Sequence, residues 1–400
     1  MNHLSHLLAL PEEEKSSRGL LHTPAEIAQQ PSTWRSTFEL FQERQAKIKD
    51  FLRAAGIQRE ADSRPTVFLV GAGTSDYIGR SLTHLLQRLW QCEVIAVPST
   101  DLLTNLQDWL VPGRRYLWIS FSRSGESPEG IAVLQRALET HPEIHHLIVC
   151  CNAQGRMLRE TAGRKQVLGI PLPDAVQDRG LAMTSSFSNM VIFGQCLANI
   201  AHPSAFQSIL DQLVESGKNF LAMSAESAAE LARGPFKKAC FVGSGPLKAV
   251  AKESALKLLE LTSGKTQTMS ESALGLRHGP MAALDDETLF VAFLSGEPTI
   301  QKYEIALLEE IGRKRLVKSR VIVCQSLECQ SLSKQLRANA EQVLAHNTSG
   351  PLPDDYRPPL DVIFGQLLGL FFSMHWNLKP DNPSPSGAIS RVVQNVLIHS

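Results

Sequence analysis

The chain has 400 residues, of which 43% are hydrophobic and 20% charged, and its 40 basic side chains balance its 40 acidic ones. That length suggests two or three domains at about 150 residues each. The even charge, with no basic stripe interleaved with aromatics, argues against a nucleic-acid surface. No apolar run reaches the roughly 18 residues that would span a bilayer. The opening MNHLSHLLAL is short, lacks a basic leader and runs into Pro11 and three glutamates, so it does not read as a signal peptide. The seven cysteines (92, 150, 151, 196, 240, 324 and 329) form no CxxC pair, which predicts a reducing, cytoplasmic setting.

Residues 1–50 read as a helical arm, with Trp34, Phe38, Phe41, Ile48 and Phe51 near helical spacing. After it the chain is written twice. TVFLVGAGTS at 66–75 matches KACFVGSGPL at 238–247, with both glycines offset by 172. Ser-Gly-Glu recurs at 124–126 and 295–297, and Phe-Gly-Gln at 193–195 and 364–366, each pair 171 apart. LIVCCN at 147–152 resembles VIVCQS at 321–326. Ordered matches at a near-constant offset indicate two homologous units of roughly 170 residues. In each, short apolar strands alternate with helical stretches, the pattern of βαβ units on a parallel sheet. Ligands of such sheets bind at the carboxyl ends of the strands, where the Gly-x-Gly turns and Ser-Gly-Glu loops fall. The expected domains are 51–205 and 206–375, followed by a tail at 376–400, with residues 203–232 as a linking helix and 349–359 as a Pro-rich loop.

Candidate chemistry follows the same order. Gly73-Thr74-Ser75 ends the first strand. It lacks the third glycine of a dinucleotide fingerprint, so Thr74 and Ser75 read as hydroxyl donors and no redox cofactor is expected. Ser122-Arg123-Ser124-Gly125-Glu126-Ser127 precedes Pro128, so Ser127 suits an N-cap and Pro128 the first helical position. The loop is either an oxyanion cradle of free N–H and hydroxyl groups, or a cap whose serines only satisfy the backbone. Its copy, Leu294-Ser295-Gly296-Glu297-Pro298, keeps few of the hydroxyls. Thr184-Ser185-Ser186 stands before the helical stretch 187–202 and caps it, contacts a sugar, or both. In the helix expected over 248–263, Glu253, Lys257 and Glu260 share one face. They form either a solvated ion-pair row or, among apolar neighbours, a carboxylate suited to proton transfer. His278 sits in a Gly-Pro turn, a structural position that also suits a fixed imidazole. No His, Asp or Glu cluster has metal-ligand spacing, so no metal is expected.

Together these residues resemble the sugar isomerase (SIS) family in a double-domain chain, over roughly residues 50–400. Gly-Thr-Ser at 73–75 and Ser-x-Ser-Gly-Glu-Ser at 122–127 match that family's phosphate-binding motifs. ESALKLLE at 253–260 and Arg277-His278-Gly279-Pro280 resemble the isomerase half of glucosamine-6-phosphate synthase. AMTSSF at 182–187, ESALGLRHGP at 271–280 and PSPSG at 383–387 are closer to AgaS-type galactosamine-6-phosphate deaminase/isomerases. The resemblance implies an α/β fold of two tandem SIS domains, each a flavodoxin-like parallel sheet flanked by helices. It implies an enzyme acting on a small sugar phosphate, with neither nucleic acid nor membrane as partner, that assembles as a homodimer or higher oligomer. Glu260 corresponds to the residue that moves the C1/C2 proton, with Lys257 and Glu253 as its charged neighbours and His278 as the ring-opening group, supplied in relatives by a neighbouring subunit. Thr74, Ser75, Ser122, Arg123, Ser124 and Ser127 correspond to phosphate ligands. Gly73, Thr184, Ser185, Ser186 and Glu271 correspond to sugar contacts. Arg391 falls nearest to a tail lysine that closes the site, although a guanidinium cannot serve as an amine base. The synthase has a glutamine where Arg123 stands and a glutamate near Arg179. Simple aldose–ketose isomerisation, glucosamine-6-phosphate deamination, deglycation and ligand sensing on the same scaffold remain alternatives.

Overall fold

The computed structural model describes residues 2–58, 60, 63–326, 333–393 and 396–399. The chain opens with α1 (His3–Ala9), α2 (Glu12–Arg18), α3 (Thr23–Ala28) and α4 (Gln30–Ala55). There follow β1 (Thr66–Gly71), α5 (Thr74–Trp90), β2 (Val94–Pro98), α6 (Ser99–Trp109), β3 (Tyr116–Ser122), α7 (Pro128–Thr140), β4 (His145–Cys150), α8 (Arg156–Arg159) and β5 (Val167–Pro171). Helices α9 (Ser185–Ala198) and α10 (Pro203–Leu231) lead to the second repeat. This contains β6 (Lys238–Gly243), α11 (Pro246–Leu261), β7 (Gln267–Ser272), β8 (Thr288–Phe293), α12 (Pro298–Lys314), β9 (Ser319–Gln325), α13 (Ser333–Asn339), β10 (Gln342–His346) and α14 (Pro358–His375).

Each repeat forms its own five-stranded parallel sheet. The first runs β2-β1-β3-β4-β5 and the second β10-β9-β8-β6-β7. Counted within its own repeat, each is a 2-1-3-4-5 sheet, the flavodoxin-like order expected from the sequence. In this topology the strand order reverses between the first and third strands, leaving a crevice at their carboxyl ends. Strands buried on both faces explain the near-continuous apolar runs: β1 and β8 are buried throughout.

The repeats also share their tightest contacts. A Cβ at Gly71 would overlap the backbone of Ser75, and one at Gly243 would overlap that of Leu247. Gly73 and Gly245 both take positive φ, +57° and +53°, with open space where a side chain would go. Glycine is needed at the first of each pair because the next helix presses on the strand end, and at the second because of the left-handed turn. Further on, Gly194 of α9 meets Leu82 of α5, while Gly365 of α14 meets Ser254 of α11. Leu82 and Ser254 are themselves 172 positions apart, so the Phe-Gly-Gln repeat marks one helix–helix contact made twice.

The division at Gln207/Ser208 falls close to the boundary expected at 205, whereas the arm at 1–50 and the tail at 376–400 are each shared between two compact units. One unit is Met1–Ser32, Arg179–Thr184 and Ser208–Ala388; the other is Thr33–Asp178, Ser185–Gln207 and Ile389–Ser400. Polar contacts between distant residues explain the division of the arm. In the unit with the second sheet, Thr23 donates through its N–H and Oγ1 to Asp381 at 2.7 and 2.8 Å, and Gln30 Nε2 donates to Gln366 at 2.7 Å. In the unit with the first sheet, Trp34 Nε1 donates to Ser188 Oγ at 2.9 Å and Thr37 Oγ1 to Asn189 at 2.7 Å. The linking helix is present as α10, whereas α9 starts and ends earlier than the stretch 187–202. Cys92, Cys150, Cys151, Cys196 and Cys240 are free thiols, while Cys324 is disulfide-bonded, which the cysteine spacing did not foretell. Cys329 lies outside the described residues.

Two stability predictions follow from buried positions. Gly365→Ala should lower the unfolding free energy by about 1–3 kcal/mol, because overlap with Ser254 outweighs the helix preference for alanine. A urea midpoint that stays the same or rises would contradict this. His146 on β4 is fully buried against Trp118, and burial pushes its imidazole down to about 3. The unfolded chain, titrating near 6.5, then binds the extra proton between these values, so the group removes stability as pH falls from about 6.5 to 3. His146→Phe should flatten that slope in urea titrations across the range.

Candidate active site

In the first unit's crevice, β1 and β3 end side by side and their following loops face the same edge. Thr74 and Ser75 open α5 in its first, buried turn, next to Asp76, which pairs with Arg80 at 2.6 Å. The loop after β3 folds on itself. Ser122 Oγ accepts from the Gly125 N–H at 2.9 Å, and Ser124 Oγ accepts from the Glu126 N–H at 3.1 Å. Each hydroxyl uses a lone pair here, and among the described residues neither donates its own hydrogen. Gly125 takes φ +65°, and a Cβ there would press on Cys150 Sγ and Gly155. Ser127 caps α7, accepting from the Gly130 N–H at 3.4 Å and donating to Glu129 at 3.0 Å. Its capping role is therefore as expected, and its hydroxyl hydrogen is already engaged. Ser122 and Ser124, both half-buried, keep donors for an oxyanion at the positive end of α7.

Other expected ligands have different surroundings. Ser185 and Ser186 are fully buried. Their N–H groups donate to the Asp178 carboxylate at 3.1 and 2.9 Å, and their hydroxyls donate to it as well, Ser185 at 2.7 Å. The serines do not cap the helix themselves: Asp178, which spacing did not single out, accepts from both N–H groups at the helix start and takes both hydroxyl hydrogens. Arg123 is also buried and its guanidinium donates to the Arg391 carbonyl. Arg391 in turn donates from Nε to the Asp178 carbonyl at 2.9 Å. Both arginines thus fasten the tail to the first unit. Thr184, in the other unit, is fully buried, with its carbonyl accepting from Gln366 at 3.2 Å.

In the second unit, α11 carries the charged residues expected on one face. Lys257 is buried, with its side chain 1% exposed, and Nζ lies 2.6 Å from Glu260 Oε2 and 3.4 Å from Glu253 Oε1. Glu253 is fully buried, whereas Glu260 keeps 24% of its side chain exposed. This is not a solvated ion-pair row. A buried ammonium holds one carboxylate inside the protein and a second at the surface. Transfer of these charges from water costs several kcal/mol per ion, which their mutual attraction must offset.

Glu271 and His278 lie elsewhere. Glu271 closes β7 and accepts from Lys248 Nζ and from the Ser272 N–H, both at 2.7 Å; the Lys248 contact leads in holding its carboxyl below the usual range. Lys248 sits in the first turn of α11, so it and Glu260 are separated by about 18 Å along the helix axis. Spacing did not single out Lys248; its signal was a lysine two residues after the Gly243-Ser244-Gly245-Pro246 turn. His278 follows a short 3₁₀ turn, with Gly279 at φ +118°, and its imidazole is exposed.

Two 2-1-3-4-5 sheets, one with hydroxyl-lined switch-point loops and the other with a carboxylate–ammonium–carboxylate helix, are the arrangement of a tandem SIS-domain protein. No protein-family model matches the chain. An AgaS protein of Streptomyces coelicolor is 36% identical over 389 residues, covering 95% of this chain and 96% of its own length. An Escherichia coli protein named D-galactosamine-6-phosphate deaminase AgaS is 34% identical over 385 residues, covering 94% and 95%. The crystal structure of tagatose-6-phosphate ketose/aldose isomerase from Escherichia coli superposes with a TM-score of 0.83 at 30% identity, covering 94% of this chain and 96% of that one. The chain belongs to the AgaS family of SIS-domain proteins.

Lys257→Met should destabilise the protein by about 3–5 kcal/mol, because it leaves the Glu253 charge buried without its ammonium. Adding Glu253→Gln should recover much of that loss. Denaturant unfolding of the single and double variants reads the coupling, and additive effects would contradict it.

Proposed function

We propose that this chain is an amino-sugar phosphate deaminase/isomerase that converts galactosamine 6-phosphate to tagatose 6-phosphate and ammonia. One observation carries the reading: Lys257 is buried between Glu253 and the partly exposed Glu260. This is a costly arrangement that surface solubility does not require. Kinship with proteins named as deaminases and as a ketose/aldose isomerase supports the same chemistry.

In this reading the free hydroxyl hydrogens of Ser122 and Ser124, with the N-terminus of α7, hold the phosphate. Binding energy from that remote group orients the reacting end of the sugar. Thr74 and Ser75 complete the cradle from the first turn of α5. Ser185, Ser186, Arg123 and Arg391 serve as its frame, since their polar groups already bond to Asp178 or to the tail. His278 assists opening of the pyranose. Glu260 removes the proton from C2 of the open-chain 2-amino aldose while O1 takes up a proton from solvent, giving the enolamine, and then returns a proton to C1 as the nitrogen gives one up to solvent. Lys257, 2.6 Å from the carboxylate, fixes its position. The resulting C2 imine takes up water and releases ammonia, leaving the C2 ketose. His278 is exposed, which suits a residue offered to a neighbouring copy in a homodimer or larger oligomer. Five free thiols suit a cytoplasmic location, and the disulfide at Cys324 is the feature that runs against it.

Glu260→Gln should reduce ammonia release from galactosamine 6-phosphate by about 10²–10⁴-fold, the usual span for a positioned general base. Its affinity for a hexitol 6-phosphate should stay unchanged. Turnover near the wild-type rate would remove Glu260 from the mechanism. Ammonia measured in parallel with glucosamine 6-phosphate fixes the epimer, and ketose formation without ammonia would favour simple isomerisation.

A further inference from the structure

The second repeat has its own switch point, between β6 and β8, and its own helix start at α12. Its loop is one residue shorter before the helix and keeps one turn of the first. Ser295 Oγ accepts from the Glu297 N–H at 3.0 Å, as Ser124 Oγ does from Glu126 at 3.1 Å. The difference lies one position further in. In the first repeat, the Gly125 N–H donates to Ser122 Oγ, but the residue corresponding to Ser122 is Phe293, which has no acceptor. In the second repeat, the Gly296 N–H donates instead to Asp354 Oδ1 at 3.0 Å, and the Ser295 hydroxyl donates to Asp354 Oδ2 at 2.5 Å. The Ser295 N–H donates to Glu304 Oε2 at 2.7 Å.

Asp354 comes from the Pro-rich segment before α14, 59 residues from Ser295. Arg357, fully buried, bonds it at 2.8 Å through Nη1, donates from the same nitrogen to the Leu294 carbonyl at 2.9 Å, and meets buried Asp361 at 3.0 Å through Nη2. The carboxylate is therefore set on the Ser295 hydroxyl, whose counterpart Ser124 keeps its hydrogen undirected in the first repeat, and on the Gly296 N–H, with a buried counter-ion of its own.

We propose that the second loop is an oxyanion site of the phosphate type, permanently occupied by the chain's own Asp354, so that only the first repeat is free to take an anionic ligand. Two observations converge on this. The Ser124 turn recurs at Ser295, and a half-buried carboxylate, backed by the buried Arg357, makes two hydrogen bonds to the donors beside it. A merely structural loop would not need an ionised group with a buried arginine behind it, since a hydroxyl suffices for the Gly125 N–H in the first repeat. The inference holds whatever sugar the first crevice takes.

Inorganic phosphate is the probe. Equilibrium dialysis with radiolabelled phosphate on full-length Asp354→Ala should show one more bound phosphate per chain than wild type. Asp354→Ala/Ser295→Ala should return to the wild-type number. A folded Asp354→Ala protein with unchanged stoichiometry would overturn the proposal, as would a gain that survives the added Ser295→Ala. Where alanine does not fold, Asp354→Ser keeps a hydroxyl for Arg357 and is read by the same criterion. In wild type, the Gly296 amide resonance should stay fixed in a phosphate titration carried to high millimolar concentration. A saturable shift of that resonance would show an open site and sink the idea.

Discussion

A lysine ammonium can be kept from water only if carboxylates come with it. On α11 this requirement is met by two glutamates at helical spacing, four residues before and three after Lys257. The consequence is asymmetric: Glu253 is wholly enclosed and Glu260 stands at the boundary with solvent. A carboxylate oriented by a buried cation and still reachable is what proton transfer beside a carbonyl needs. The rest of the second unit supports this helix. Gly365 and Gly369 of α14 let it approach closely, with Gly365 against Ser254 and Gly369 against the Lys257 carbonyl.

The two repeats show one backbone put to different uses. Both need glycine at the strand end and at the following left-handed position, because the helix otherwise collides with its strand. Those demands are independent of any ligand, and both copies retain them. The loops after β3 and β8 are under no such common demand. One leaves serine hydroxyl hydrogens undirected at a helix start, while the other bonds to carboxylates from its own chain. Divergence therefore falls on the donors and not on the turn.

Arginine has unlike roles in the two halves. Arg357 is enclosed with Asp354 and Asp361 and neutralises charge within its unit. Arg123 and Arg391 bond to carbonyl oxygens and hold backbone segments together. Composition treats these residues alike, since each contributes one positive charge to a sum of zero. Only their acceptors distinguish counter-ion from clamp.

The sequence by itself determined what depends on near neighbours. The Gly-x-Gly turns, the Ser127 cap before Pro128 and the shared face of Glu253, Lys257 and Glu260 are requirements within one or two turns of chain, so spacing exposes them, and their recurrence at a near-constant offset exposes the doubled α/β plan. It also kept open two readings of Thr184-Ser185-Ser186 and of the α11 charges, because solvation is not a local property. Tertiary structure supplies that context: Asp178 takes both serine hydroxyls, and burial encloses Glu253 and Lys257 while Glu260 stays partly exposed. It also decided the pairing of Lys248 with Glu271, the seating of Asp354 on Ser295, and the division of the amino-terminal arm between two units. These contacts join residues tens to hundreds of positions apart, and no spacing rule reaches so far. Which polar group meets which is set by where the sheets and helices bring them, and the desolvation of each charge is known only once its surroundings are built.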